Sequence, residues 1–94
     1  RITGNTIVMN SNITTPIFGE EGAATTSNPV YNLIIEDNRV TCKGTNGYTF
    51  ATFNSDFTGA IVTDNKVYGC KTMFSDSGTN TQKAGNYRDS VSSN

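Results

Sequence analysis

Carboxylates at recurring positions are the residues of this chain best placed to do chemistry. Asp37 and Asp64 each stand directly before an asparagine, and Glu36 precedes Asp37. Cleavage of a glycosidic bond uses two carboxyl groups about 5 to 9.5 Å apart. If the segments that carry Asp37 and Asp64 stack as neighbouring strands, about 4.8 Å would separate them. The catalytic candidates are therefore Glu36, Asp37 and Asp64, with Glu20 and Asp56 as further carboxylates.

The two aspartates also fit a purely structural role. Asp suits a tight turn because its side chain hydrogen-bonds the local backbone, and Gly suits it because it has no side chain. Gly4 precedes Asn5 just as Asp37 precedes Asn38, so the position favours turn-forming residues rather than acids as such. Turn formation therefore explains Asp37 and Asp64 without catalysis, and both interpretations stay open.

Other kinds of chemistry lack their residues. The chain contains no histidine, which excludes Ser-His and Cys-His nucleophiles and the usual zinc sites. We predict no metal site and no cofactor. Cys42 lies four places after an upstream asparagine and Cys70 five places after the next. In strands, that difference turns the two side chains to opposite faces unless a bulge at Gly69 restores the register, so we predict free thiols.

A short motif that recurs three times indicates how these residues are positioned. It consists of an apolar residue, any residue, Gly or Asp, Asn, any residue and a β-branched residue, and it is centred on Asn5, Asn38 and Asn65. Chance would give about 0.1 such matches among the asparagines of a chain with this composition. The intervals are 33 and 27 residues. Such periods are typical of solenoid proteins, in which each repeat stacks on the next.

The segments between the motif asparagines have the character of β-strands. They are short, rich in β-branched and aromatic residues and separated by turn residues. Asn, Thr, Ser and Gly fill 44 of the 94 positions, which suits corners and polar sides better than a thick core. Asn tolerates the left-handed backbone that a corner needs, and stacked amides hydrogen-bond to one another. We therefore predict that Asn5, Asn38 and Asn65 form a structural ladder at these corners.

With this motif and composition, the chain resembles the right-handed parallel β-helix proteins, namely pectate lyases and bacteriophage tailspikes. The resemblance rests on the Ile/Val-x-Gly/Asp-Asn-x-Ile/Val turn and the repeat length, and it covers roughly residues 1–74. It implies an all-β fold, a right-handed single-stranded parallel β-helix of about three coils. The narrow apolar interior would consist of Ile2, Ile7, Ile35, Val40, Val62 and Val67. In its abundance of Thr and Asn the chain resembles phage tail proteins. Their β-helices usually form side-by-side trimers and recognise or cleave bacterial surface polysaccharide.

The repeats also divide the chain. We place coils near residues 1–31, 32–59 and 60–74, followed over 75–94 by a polar, extended or flexible segment without Leu, Ile or Phe. We expect this C-terminal segment to be an irregular tail that forms no buried coil. Three coils leave unpaired strands at both ends of a stack. We therefore expect a fragment of a longer protein that associates as a homotrimer.

The sequence predicts a phage tail spike or fibre module that binds host cell-surface polysaccharide and lies on the virion tail, outside the cell. The glycan-binding candidates are Phe57, Arg39 and Glu21, and Phe57 could stack on a sugar ring. One alternative is a polysaccharide hydrolase or lyase segment of a tailspike, although we expect this stretch alone to lack a complete active site. Another is a secreted or cell-surface bacterial β-helix adhesin. The seven basic residues are scattered and balanced by eight acids, so we predict no nucleic-acid binding. The short apolar runs predict no membrane insertion.

Overall fold

The computed structural model describes residues 1–10, 16–20, 22–23, 29–43, 48–89 and 91–92. These residues form strands and turns, and no helix occurs among them. The strands are β1 (Ile2–Thr3), β2 (Thr6–Met9), β3 (Pro16–Gly19), β4 (Val30–Tyr31), β5 (Ile34–Glu36), β6 (Arg39–Cys42), β7 (Thr49–Phe53), β8 (Phe57–Thr58), β9 (Ile61–Thr63), β10 (Lys66–Tyr68), β11 (Thr72–Asp76), β12 (Gln82–Ala84), β13 (Tyr87–Arg88) and β14 (Val91–Ser92). The predicted all-β class is confirmed.

The strands form four sheets in which a strand of one repeat pairs with its counterpart in the next. Sheet I has the order β1-β5-β9-β12, sheet II β2-β6-β10-β13-β14, sheet III β3-β7-β11 and sheet IV β4-β8. Among these described strands every pair is parallel except β13 with β14. Parallel neighbours need a long connection between them. The rest of each repeat supplies that connection.

The register places equivalent motif residues on top of one another. In sheet I, Ile2 pairs with Ile35, and Ile35 pairs with Val62. Ile35 and Val62 are completely buried, while Ile2 in the first strand is half-buried. The equivalent column of sheet II consists of Ile7, Val40 and Val67. Each fully buried aliphatic side chain stabilises the fold by about 1.5–3 kcal/mol, so these columns hold sheets I and II in register.

Aromatic side chains provide a second part of the core. Phe50 of β7 is fully buried and lies edge-to-face between Phe18 of β3 and Phe74 of β11, with ring centroids 5.4 and 6.0 Å away. Phe53 and Phe57 pack together with centroids 5.1 Å apart. Edge-to-face pairs add about 0.5–1.5 kcal/mol beyond the area they bury. Successive strands of sheet III are therefore linked through rings, as sheets I and II are linked through aliphatic side chains.

The segment after Phe74 is more regular than its composition predicts. Strand β12 pairs with β9 and β13 pairs with β10, so sheets I and II each gain a fourth parallel strand. Asn86 stands where the earlier motif asparagines stand, preceded by Gly85. The motif rule fails there because Lys83 and Arg88 occupy the two apolar positions. The expected irregular tail is thus replaced, over residues 75–89, by strands and turns.

The prediction of free thiols is wrong. Cys42 and Cys70 form a disulfide, with their Cα atoms 5.0 Å apart. Tyr68 still pairs with Thr41, but Gly69 then adopts a left-handed backbone with φ of 75°. This extra residue restores the register, so that Cys70 reaches the face that Cys42 occupies. A side chain at Gly69 would overlap the carbonyl oxygen of Cys42, which explains the glycine at the bulge.

Candidate functional site

A ladder of asparagine side chains runs along the corner between sheets I and II. The Nδ2 groups of Asn5, Asn38 and Asn65 each donate to the Oδ1 atom of the next asparagine, at 3.0 Å in every case. Asn86 accepts the last of these bonds. The backbone N–H of each of the first three asparagines donates to the same Oδ1 atom at 3.0 to 3.1 Å. The structure therefore brings the three predicted residues together and adds a fourth.

The ladder is satisfied inside the protein. Asn38, Asn65 and Asn86 are 2%, 0% and 0% exposed. Their Nδ2 groups also donate to the carbonyl oxygens of strand residues in the preceding repeat, at 3.1, 3.0 and 2.8 Å. Buried amides without such partners would each cost about 1–3 kcal/mol. Because these side chains are enclosed and bonded to one another, their role is structural.

The left-handed corner residue is not the asparagine, as the sequence had predicted, but the residue before it. Gly4, Asp37, Asp64 and Gly85 have φ values of 69°, 54°, 58° and 68°. Asp and Gly are among the residues that adopt this conformation most readily. The asparagine instead follows the corner, where its side chain points along the stack. A side chain at Gly85 would overlap the Oδ1 atom of Asp64.

The carboxylates proposed for catalysis near this corner are placed by the turn. Asp37 and Asp64 are exposed, in equivalent turns of consecutive repeats. Their backbone N–H groups donate to Thr63 and Ala84 carbonyl oxygens, both at 3.1 Å. Glu36 is half-buried and forms an ion pair with Arg1. The two aspartates are exposed and serve the turns, and the glutamate already has a partner. These three carboxylates therefore do not form an enclosed catalytic pair.

The other predicted site residues lie elsewhere. Asp56 is 4% exposed, and its backbone N–H donates to the Asn54 Oδ1 atom at 3.0 Å. Phe57 is also 4% exposed and packs on Phe53, so its ring is not available to stack on a sugar. Glu20 is half-buried after β3. Glu21 lies outside the described residues.

The strands of sheet II form a partly exposed surface. We define the outer face of sheet II by the outward residues of β2, β6, β10 and β13: Thr6, Val8, Arg39, Thr41, Lys66, Tyr68 and Tyr87. Val8 and Tyr87 are 50% and 44% exposed, and Arg39 and Lys66 are exposed as well. The residues between them, such as Val40 and Val67, point inward and are completely buried. The face thus carries aliphatic, aromatic, hydroxyl and cationic groups.

The positive charges that are scattered in sequence gather at sheet II in space. Arg39, Lys43, Lys66 and Arg88 lie on its strands or directly after one. The Arg39 guanidinium lies over the Tyr68 ring, 5.2 Å from its centroid. The sequence signal for this surface was present, because Arg39 and Lys66 each directly follow a motif asparagine. Arg39 was among the predicted glycan-binding residues, but Lys66 was missed because the motif was interpreted only for its apolar positions.

No family model matches this chain, and neither a curated protein nor a solved structure matches it.

A second polar cluster lies at the last strands. The Asp76 carboxylate accepts hydrogen bonds from the Gly78 backbone N–H at 2.9 Å, the Thr81 hydroxyl at 3.0 Å and Lys83 Nζ at 3.2 Å. Partial burial raises the pKa of Asp76, but these bonds and the Lys83 charge outweigh it, so the pKa lies below its usual value of 3.8. Lys83 Nζ also lies 5.0 Å from the Phe74 ring centroid. The cluster is fully bonded and has the character of a structural cap.

The described residues contain neither a candidate metal-binding group nor a membrane-spanning helix. No three His, Cys, Asp or Glu residues among them are grouped so that they could hold a metal ion. Within the same part of the chain, no helix is long and apolar enough to cross a membrane.

Proposed function

We propose that this chain is a segment of a right-handed parallel β-helix of the tailspike or tail-fibre type, and that it binds a host cell-surface polysaccharide. The asparagine ladder and the in-register parallel sheets support the β-helix assignment. The outer face of sheet II carries the proposal of glycan binding. Sugars are recognised by aromatic rings that pack on their apolar faces and by polar groups that bind their hydroxyls. Tyr87, Arg39 and Thr41 place such groups on one exposed surface.

Binding is favoured over cleavage by the surroundings of the carboxylates. Asp37 and Asp64 share their turn position with Gly4 and Gly85, which have no carboxylate to contribute. Asp56 is buried. A glycosidase needs one carboxyl group held protonated beside another that is ionised. An open turn surface provides neither the burial nor the enclosure for that division of roles.

The experiment that tests the proposal measures binding and cleavage separately. The chain is assayed against an array of bacterial capsular and lipopolysaccharide glycans, and each bound glycan is then incubated and examined for new reducing ends. We expect binding without cleavage. The control is D37G/D64G, which keeps the turn because glycine occupies the same place in the first and last repeats. Cleavage that this variant abolishes would establish the hydrolase or lyase alternative, and binding to no glycan would remove the proposal.

Side-by-side association of three chains is part of the proposal, and the outer face of sheet I is its candidate surface. Ile34 and Ile61 pair in register there and are half-buried, whereas their neighbours Ile35 and Val62 point inward. Aliphatic residues on an outward face gain free energy when a partner covers them. We expect light scattering to give the mass of a trimer, and I34K/I61K to give a monomer. A monomeric wild-type chain would contradict this surface assignment and the trimer alike.

The disulfide also fits a second candidate function, that of a secreted or cell-surface bacterial adhesin. Disulfides persist in secreted proteins and on virion and cell surfaces, and they are rare in the reducing cytoplasm. The Cys42–Cys70 bond therefore fits an exported chain and agrees with an extracellular location for either candidate. The decisive measurement is whether the chain is found on virions or on the bacterial surface, together with the number of reactive thiols in the denatured, unreduced protein isolated from that source. A fully oxidised exported chain favours the adhesin, and a virion-associated chain favours the tail protein.

A further inference from the structure

Two cations on the outer face of sheet II lie opposite each other, and neither has a carboxylate partner within ion-pair distance among the described residues. Arg39 and Lys66 pair in register on neighbouring parallel strands, which lie about 4.8 Å apart. Like charges directly opposite destabilise a sheet. Among the described residues neither cation forms an ion pair, whereas Arg1 and Lys83, which lie outside this sheet, each bind a carboxylate. Sheet II thus maintains an unfavourable arrangement that an external anion would relieve.

The tyrosines define what kind of anion fits. The Tyr68 ring lies under the Arg39 guanidinium, 5.2 Å from ring centroid to Cζ, which limits the motion of that cation. Tyr87 pairs in register with Lys66 and is 44% exposed. An exposed tyrosine ring provides a rigid, amphipathic surface at low entropic cost. The column Arg39, Lys66, Tyr87 therefore combines two charges with one stacking surface, at the spacing of the strands.

We propose that the outer face of sheet II binds an anionic polysaccharide. Its carboxylate, sulfate or phosphate groups pair with Arg39 and Lys66, and a sugar ring stacks on Tyr87. This inference rests on the proposed glycan-binding function and names the chemical class of the ligand. A nucleic acid carries the same charge, but its binding proteins neutralise many phosphates along a basic track. The chain has a net charge of −1 and only a short pair of stacked cations on this face, which fits occasional charges along a sugar chain better.

The test compares matched ligands and matched variants by isothermal titration calorimetry. The ligands are glycan chains that carry uronate, sulfate or phosphate, each beside the same chain with the uronate methyl-esterified or the sulfate or phosphate removed. We expect the charged member of at least one pair to bind at least tenfold more tightly. R39Q or K66Q should weaken that binding about threefold to tenfold, and R39Q/K66Q by more than tenfold. Raising the salt from 50 to 200 mM should weaken binding of the wild type and leave the double variant almost unchanged.

The control variants use a cation and a tyrosine away from sheet II. R1Q removes an exposed cation near sheet I, and Y31S removes a tyrosine that is 66% exposed on β4. Both should bind like the wild type, whereas Y87S should bind at least threefold more weakly. The melting temperature separates binding from folding. Because R39Q/K66Q removes a repulsion, its melting temperature should equal or slightly exceed that of the wild type.

The outcomes distinguish this inference from the function on which it rests. If neutral and charged chains bind equally, or if R39Q/K66Q binds a charged chain like the wild type, the anionic site is wrong and glycan binding stands. If no sugar chain binds, both proposals fail. If single-stranded DNA binds through Arg39 and Lys66 more tightly than any sugar chain, the ligand class is wrong. The uronate, sulfate and phosphate pairs identify which anionic group the face prefers.

Discussion

The first and last described strands of sheets I and II occupy equivalent places, but their inward side chains differ in chemistry. At the first end, the inward positions hold Ile2 and Ile7, which are half-buried because no described strand covers them. At the last end, the same positions hold Lys83 and Arg88. The first end thus has the same apolar inward residues as the interior, while the last end has charged residues at those positions.

The two charged residues at the last end are accommodated by partners close to the edge. Lys83 binds the Asp76 carboxylate, and Arg88 Nη1 donates to the Lys71 carbonyl oxygen at 3.0 Å. Strand β14 then pairs antiparallel with β13, which ends the parallel series. Repeat proteins need such polar terminal units, because an open apolar edge promotes aggregation. The apolar pattern therefore applies only to repeats that are covered on both sides.

The largest effect on this difference is expected from two single substitutions, one at an interior position and one at the equivalent position in the last strand of sheet I. V62K should lower the free energy of unfolding by about 4 kcal/mol or more, because it buries an unpaired charge at a position with no exposure. K83V at the equivalent place in β12 should cost less than about 1 kcal/mol, since it removes only one partly exposed ion pair. Urea unfolding followed by circular dichroism measures both. Similar costs for the two variants would contradict the distinction between enclosed and terminal repeats.

The disulfide joins the repeats that lie between the two ends. In the chain-entropy model, closing a loop with a sequence separation of 28 residues contributes about 3.5 kcal/mol. C42S/C70S should therefore lose roughly that amount of unfolding free energy. Hydrogen exchange should also become faster in β6 and β10 than in the oxidised protein. An unchanged urea midpoint would mean that packing alone fixes these strands; wild type with and without reductant is the matched control.

The ladder should be strongest in the middle and weakest at the first end. N65A removes an unexposed amide and leaves the Asn38 N–H and Nδ2 donors and the Ile35 carbonyl oxygen without their partner. We expect a loss of about 2–3 kcal/mol. N5A affects an exposed side chain and should cost less than about 1 kcal/mol. Thermal and urea unfolding compare the two; an N5A cost as large as that of N65A would show that the first end is as enclosed as the interior.

The last end should weaken in acid through Asp76. Because the folded pKa of Asp76 is lowered, its contribution is fully present above about pH 4 and is lost as the pH falls through the folded value, below 3.8. The contribution is under about 1 kcal/mol, since the pair with Lys83 is partly exposed. D76N should remove this part of the pH dependence between pH 5 and 2. Identical pH profiles for D76N and the wild type would exclude Asp76 from the cap.

The sequence could predict the enclosed repeats because their chemistry is uniform. Asn38 and Asn65 lie in the same turn, flanked by inward aliphatic residues, so three matches sufficed to infer strands and stacking. The motif did not predict Asn86, because Lys83 and Arg88 occupy its two apolar positions. Both charged side chains bind polar groups outside the apolar interior. The disulfide was not predicted, because one left-handed residue, Gly69, shifts the register by one place. Such local backbone choices depend on contacts that a periodic pattern does not contain.

The spacing of the ladder has a consequence for how the fold tolerates change. Successive asparagines are separated by 33, 27 and 21 residues, so each layer is six residues shorter than the one before. Sheets I and II nevertheless hold four parallel strands each, whereas sheets III and IV hold three and two described strands. The corner between sheets I and II is therefore the same in every repeat. The shortening of successive repeats falls on the other side, around sheets III and IV. Insertions and deletions should therefore occur around sheets III and IV in the longer repeats. The shortest repeat, of 21 residues, should tolerate almost none.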